Sequence, residues 1–141
     1  MKLPSAFFCG VRLRSLDEGT CVTSVPYKWL SQNPFNSIYF ACQAMAAEMS
    51  TGMLALGHSY QKNPAISMLV VKLEAQYFKK ATERVYFTCS NGLAVKEAIE
   101  RSKATGEGQV VECISTGKNS SGELISEFRI TWSFKAREKR N

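Results

Sequence analysis

Histidine is nearly absent from this chain of 141 residues, with a single copy at position 58. The five cysteines include no C-x-x-C pair, and no spacing in the sequence is typical of a zinc site. We therefore expect no metal and no cofactor of the protein's own. Because the number of cysteines is odd, a disulfide framework is not expected, and the pattern favours a reducing compartment. The cysteines are Cys9, Cys21, Cys42, Cys89 and Cys113.

Long uninterrupted apolar segments are also missing. The N-terminus has no basic start followed by a long apolar stretch, so the sequence predicts no signal peptide. The most apolar segment, Ile38–Leu56, contains too many polar residues and glycine for a helix that faces lipid. These features predict a cytoplasmic protein without a membrane partner. The interrupting residues are Gln43, Glu48, Ser50, Thr51 and Gly52.

Acidic residues are outnumbered by basic ones, 12 to 18, but much of the excess lies at one end. Residues 135–141 hold four basic side chains and one acidic side chain. The remainder is mildly basic, and aromatic and basic residues do not interleave as they do on nucleic-acid-binding surfaces, so we expect no nucleic-acid partner. The length fits one domain. We predict a single domain over residues 1–141, with a basic tail from about residue 135.

Charge is scarcest in the middle of the first half, where Glu48 is the only charged side chain between Lys28 and Lys62. It lies inside the apolar segment Ile38–Leu56, which has helical periodicity. A buried carboxylate without a partner costs several kcal/mol, roughly, unless it is protonated or paired. Glu48 is therefore either hydrogen-bonded for structural reasons or kept because the carboxylate acts chemically. In both cases burial should raise its pKa.

The periodicity predicts two strands, one long helix, and then four strands with a short helix inserted. The long helix is apolar almost all round, which indicates that it is buried almost all round inside a sheet. Runs of antiparallel strands with a segregated helix are typical of the α+β class. Asn36 or Ser37 is expected to cap the long helix, and Gly57 to end it. The predicted strands are Phe7–Leu16, Thr20–Tyr27, Ser67–Phe78, Arg84–Ser90, Gln109–Thr116 and Glu123–Ala136, and the helices are Ile38–Leu56 and Gly92–Ala104.

The most specific segment is residues 33–48, N-P-F-N-S-I-Y-F-A-C-Q-A-M-A-A-E. Together with the order of elements, it resembles the hotdog fold, an antiparallel sheet wrapped around one long helix. Within that fold the chain resembles acyl-CoA thioesterases of the phenylacetyl-CoA thioesterase type, and most closely an uncharacterised thioesterase-like branch. Members of the family read N-x-x-G-[TS]-x-H-G-G, then six residues and an acid. Asn33, Ser37 and Glu48 match this pattern, and the resemblance covers about Gly10 to Ala136.

The resemblance implies hydrolysis of an acyl-CoA or acyl-carrier thioester, with Glu48 as general base or nucleophile. It also implies that a backbone N–H at the start of the helix polarises the thioester carbonyl. Asn33 is then expected to hold the carbonyl or a water, and Tyr39 to donate a hydrogen bond to the partner's Glu48. The plain alternatives are a turn residue for Asn33 and an ordinary buried tyrosine for Tyr39.

Several positions depart from the family pattern. Asn36 replaces the loop glycine, Tyr39 replaces the histidine, and Phe40 and Ala41 replace the glycine pair. Phe40 and Ala41 fill space that glycine leaves open, so the pocket should differ in shape. With Ser37, they are the expected substrate-binding residues.

A homodimer, or a dimer of dimers, is the expected assembly, because one curved sheet around one helix leaves an edge strand and an apolar flank open. Two other functions stay open. One is a non-catalytic binder of acyl thioesters or fatty acids, which the missing His-Gly-Gly favours. The other is a dehydratase or hydratase, but that chemistry needs a histidine that the start of the helix lacks. His58 is expected only to support the helix end.

Overall fold

The computed structural model describes residues 3–60 and 63–137. These residues form three α-helices and six strands, with a short 3-10 helix before the central helix. The helices are α1 (Pro4–Cys9), α2 (Phe40–Ser59) and α3 (Gly92–Thr105), and the 3-10 helix is Trp29–Ser31. The strands are β1 (Arg12–Leu16), β2 (Cys21–Val25), β3 (Ile66–Tyr77), β4 (Val85–Cys89), β5 (Gln109–Asn119) and β6 (Leu124–Ala136).

The six strands form one antiparallel sheet in the order β1-β2-β4-β5-β6-β3. Helix α2 packs across its inner face and contacts β1, β2, β4, β5 and β6. This is the α+β hotdog arrangement that the sequence predicts. Strand β6 runs on to Ala136, so the first residues of the predicted basic tail belong to the sheet. Residues 138–141 lie outside the described residues.

The N-terminal segment differs from the prediction, because Phe7, Phe8 and Cys9 are helical and only Arg12–Leu16 forms a strand. Proline at the first position of α1 suits a helix start, since its missing N–H would be unpaired there. Gly10 ends α1 with a left-handed φ of 86°, and its N–H bonds to the Phe7 carbonyl. These two signals outweigh the apolar run that favoured a strand.

The central helix begins and ends later than predicted. Its N-cap is Tyr39, and neither Asn36 nor Ser37 caps it. Ile38 is instead extended, bridges Gln32, and donates its N–H to the Ala81 carbonyl. Gly57 lies inside α2, which continues to Ser59.

In the single chain, α2 is not inaccessible all round. Its sheet-facing residues are buried, but a stripe at helical spacing, made of small and apolar residues and one glutamate, is half-buried or exposed. The prediction of burial on every side is therefore wrong for one chain. This exposed α2 stripe is Ala41, Met45, Glu48, Gly52 and Leu56.

Strand β3 also departs from a simple alternating pattern. The alternation predicts Leu69, Val71 and Leu73 on one face, but the register shifts between Val70 and Lys72. A bulge adds one residue and changes which side chains face inward. Met68 and Val70 therefore pack against the core before the bulge, whereas Leu69 and Val71 are exposed. Because β3 is last in the sheet order, it presents an edge with apolar side chains.

Candidate active site

Glu48 lies on the exposed α2 stripe with its side chain half-buried. It lines a cavity of about 150 Å³ together with Met45 and with Leu3, Pro4, Ser5 and Ala6 at the N-terminus. Within residues 3–60 and 63–137, no hydrogen bond or ion pair reaches its carboxylate. Burial alone raises the pKa of Glu48. The acid is thus not sealed in the core, and no neighbour in the described part of the chain neutralises it.

Gly52 lies between the Glu48 carboxylate and the Trp132 ring. A Cβ added to Gly52 would lie 3.2 Å from Glu48 Oε1 and 3.4 Å from the Trp132 ring. The missing side chain of Gly52 therefore leaves room for the Glu48 carboxylate, which lies one helical turn before it. Trp132 is fixed because its Nε1 donates to Thr51 Oγ1 at 2.9 Å, and that hydroxyl donates to the Glu48 carbonyl at 2.9 Å.

Two parts of this environment were not identified from the sequence. One is the N-terminal wall of the cavity, because the sequence predicts a strand from Phe7 and does not predict helix α1. The other is Gly52, for which a signal existed: an isolated glycine in a buried helix, four residues after the acid, indicates close packing.

Asn33 organises the loop before α2. Its Oδ1 accepts from the Phe35 N–H at 2.9 Å, the Ser37 N–H at 3.3 Å and the Ser37 hydroxyl at 3.2 Å. Its own N–H donates to the Ser37 carbonyl at 2.8 Å. The side-chain oxygen is thus used within the turn, which is the plain role considered for Asn33. Ser37 is buried in the same turn.

Asn36 explains one departure from the family pattern. Its φ is 59°, and it is the one non-glycine residue with a positive φ in the described chain. Glycine adopts this left-handed conformation at little cost, and asparagine tolerates it better than other residues. The replacement therefore preserves the loop.

We expect Asn36→Gly to leave the melting temperature nearly unchanged and Asn36→Val to lower stability by ~1–2 kcal/mol, because a β-branched residue is strained at positive φ. Chemical denaturation of both variants measures the difference. Equal stability of the two variants would contradict this account of the loop.

The start of α2 presents backbone donors. The Tyr39 N–H donates a hydrogen bond to the Ser31 carbonyl at 2.7 Å. The N–H groups of Phe40 and Ala41, by contrast, have no acceptor among the described residues. The N-terminus of a helix favours developing negative charge. Tyr39 and Phe40 are exposed, with ring centroids 4.8 Å apart, and Ala41 is half-buried. Tyr39 is therefore not an ordinary buried tyrosine in the single chain.

The structure divides the predicted site residues into two groups. Asn33, Ser37 and Tyr39 lie together at the start of α2, whereas Glu48 lies further along it. Ala41 and Glu48 are seven residues apart, which places them about 10 Å apart along the helix axis. One thioester carbonyl cannot contact both groups within the same chain.

His58 has a structural contact away from this site. Its Nε2 lies 2.8 Å from the Glu18 carbonyl, which links the end of α2 to the turn between β1 and β2.

Over residues 3–60 and 63–137, no helix is both long and apolar enough to cross a membrane.

Residues 2–134 match the family described as "Domain of unknown function (DUF4442)". None of the curated proteins matches the sequence. A protein of unknown function from Pseudomonas aeruginosa, described as a probable thioesterase, superimposes with a TM-score of 0.84 at 14% identity, over 96% of this chain and 89% of that one.

Two further solved structures share the fold. A protein of unknown function from Chlorobaculum tepidum has a TM-score of 0.82 at 14% identity, over 96% of this chain and 88% of its own. A thioesterase from Haemophilus influenzae has a TM-score of 0.68 at 14% identity, over 97% and 87%. At these identities the likeness is one of fold.

Proposed function

This chain belongs to the DUF4442 family, and we propose that it is a thioesterase that hydrolyses an acyl-CoA or acyl-carrier thioester with Glu48 as the catalytic carboxylate. The observation that carries the proposal is the position of Glu48. It is half-buried, lines a cavity, and has no partner for its carboxylate among the described residues. A structural role would require a partner for the carboxylate, and none of the described residues supplies one.

The reaction needs a base and a site for the developing oxyanion. In the proposed reaction, Glu48 takes a proton from water, and the resulting hydroxide adds to the thioester carbonyl. The N–H groups of Phe40 and Ala41 stabilise the negative charge on the carbonyl oxygen. When the tetrahedral intermediate collapses, the C–S bond breaks, and the thiolate takes the proton back from Glu48. Direct attack by the carboxylate on the carbonyl is the other route open to the same residue.

The separation within one chain implies that two chains build each site. Glu48 of one protomer would act on a carbonyl held by the helix start of its partner. The exposed α2 stripe and the apolar edge of β3 are the surfaces that such a homodimer would cover. An interface of about 800 Å² per partner is the standard size for a specific complex. Tyr39 would then lie close enough to the partner's Glu48 to donate a hydrogen bond.

Edge pairing through β3 can be tested with two exposed valines. We expect Val71→Lys to weaken the dimer by roughly 30-fold or more, since a charge at an interface centre costs ~2 kcal/mol or more. Val110→Lys is the matched control, because Val110 is also exposed but lies on β5, inside the sheet. Sedimentation equilibrium measures both. A wild-type chain that is monomeric at micromolar concentration would contradict the shared site.

The second candidate is a binder of acyl thioesters that does not turn them over. Tyr39, Phe40 and Ala41 in place of His-Gly-Gly favour it, because they add bulk where the thioester carbonyl would bind. Incubation with acyl-CoA thioesters of several chain lengths separates the two functions. Release of free CoA supports hydrolysis, whereas saturable binding without release supports the binder.

A further inference from the structure

Two cysteines lie in contact beside the candidate site. Cys9, at the end of α1, and Cys42, in the first turn of α2, have their sulfur atoms 3.1 Å apart. A disulfide bond is about 2.05 Å long, so bond formation requires the sulfurs to approach by only about 1 Å. Both cysteines are free thiols in this structure. No local pattern indicates this pair, because 32 residues lie between the two positions.

The two thiols have different surroundings. Cys9 is half-buried, whereas Cys42 is buried. Burial, followed by the hydrogen bond that Cys42 Sγ donates to Cys9 Sγ, raises the pKa of Cys42 to about 12. Cys42 therefore remains a thiol near neutral pH, and a reagent from solvent reaches Cys9 first. The other three cysteines, Cys21, Cys89 and Cys113, are fully buried.

We propose that Cys9 and Cys42 are an oxidation site that hydrogen peroxide converts to a disulfide, which fastens the end of α1 to the first turn of α2. This inference concerns the two thiols and does not depend on the proposed hydrolysis. Its consequence is local: Leu3, Pro4, Ser5 and Ala6 form one wall of the Glu48 cavity. The disulfide would hold that wall in place.

The reaction balances with one peroxide. The Cys9 sulfur attacks a peroxide oxygen, the O–O bond breaks, and Cys9 becomes a sulfenic acid as the first water forms. The Cys42 sulfur then attacks the Cys9 sulfur, the S–O bond breaks, and the Cys42 proton leaves with the second water. The two thiols lose two electrons in total, and the peroxide is reduced to two waters.

The test uses the full chain and hydrogen peroxide. After treatment, the protein is denatured, alkylated with iodoacetamide and mapped by mass spectrometry. We expect a linked Cys9–Cys42 peptide that has lost two hydrogens and is released by dithiothreitol, with the other three cysteines still alkylated. Because the disulfide closes a long loop, the melting temperature should rise by ~10 °C.

Cys9→Ser removes the thiol that reacts first, and a half-buried position tolerates the exchange. Cys9→Ala makes the same test with a residue that has no hydroxyl. In both, Cys42 should stay open to alkylation, and peroxide should leave the melting temperature unchanged. The proposal is overturned if Cys9 of the wild type becomes a sulfinic acid while Cys42 remains a thiol. A Cys9–Cys9 link between two chains would overturn it as well.

Discussion

Glu48→Gln is expected to lower the turnover number for thioester hydrolysis by roughly 10²–10⁴-fold, the usual contribution of a positioned acid–base group. Glutamine keeps the shape of the side chain but cannot accept a proton from water or attack a carbonyl. Glu97→Gln is the matched control, since Glu97 is an exposed carboxylate on α3. Turnover is measured as CoA release, and undiminished hydrolysis in Glu48→Gln would end the catalytic assignment.

The same variant has an expected effect on stability. Burial raises the pKa of Glu48 in the folded chain above its ordinary value of 4.5, so the folded state favours the protonated form. A group whose pKa is raised on folding stabilises the folded state fully when the pH is below its unfolded pKa. That stabilisation is lost as the pH rises through its folded pKa. Glu48→Gln should therefore match the wild type at pH 4 and be the more stable protein at pH 8. A structural role for the ionised carboxylate predicts the opposite order at pH 8.

Gly92→Ala is expected to destabilise the fold by about 3 kcal/mol, the cost of overpacking at a site that cannot relax. A Cβ at Gly92 would lie 2.0 Å from the Glu18 carbonyl oxygen and 2.7 Å from Gly19 Cα. The Gly92 N–H also donates to the Gly19 carbonyl at 3.0 Å, so the first residue of α3 contacts the β1–β2 turn directly. Backbone atoms cannot move aside as a flexible side chain does.

Gly57→Ala is the control for this prediction. Nothing lies within 4 Å of a Cβ at Gly57, which is inside α2. Alanine should therefore raise stability by ~0.5–1 kcal/mol through helix propensity. Urea unfolding of the two variants gives both values, and a Gly92→Ala protein as stable as the wild type would show that α3 does not pack as described.

The α+β fold was predictable because strong local patterns set the order of elements. Strand β6 alternates almost without interruption, and α2 is too long and too apolar to be anything but a central helix. The prediction failed where two local signals competed. At Phe7 and Phe8 the apolar run favoured a strand, but Pro4 and Gly10 define a short helix. At Val71 a bulge changes which side chains of β3 face the core, and no residue type in the sequence predicts that bulge.

For the candidate site, the sequence indicates candidate residues but not the geometry around them. Glu48 stands out because a lone charge in an apolar helix is costly, and the resemblance supplied Asn33 and Tyr39. The packing of Trp132 against Gly52, and the cavity wall formed by Leu3, Pro4, Ser5 and Ala6, depend on contacts between distant parts of the chain. Such contacts leave only weak marks on local sequence. Asn36 is an intermediate case: the sequence shows that it replaces a glycine, but the positive φ that explains the replacement is seen only in the structure.

The dependence of kcat/KM on pH tests the central claim most directly. Wild-type hydrolysis of an acyl-CoA thioester is expected to fall at low pH, with a midpoint above the ordinary glutamate pKa of 4.5, because the base must be ionised. In Glu48→Gln, the residual rate should lack that transition. A wild-type and a Glu48→Gln profile with the same midpoint and similar rates would contradict the account, as would a wild-type protein that binds acyl-CoA and never releases free CoA.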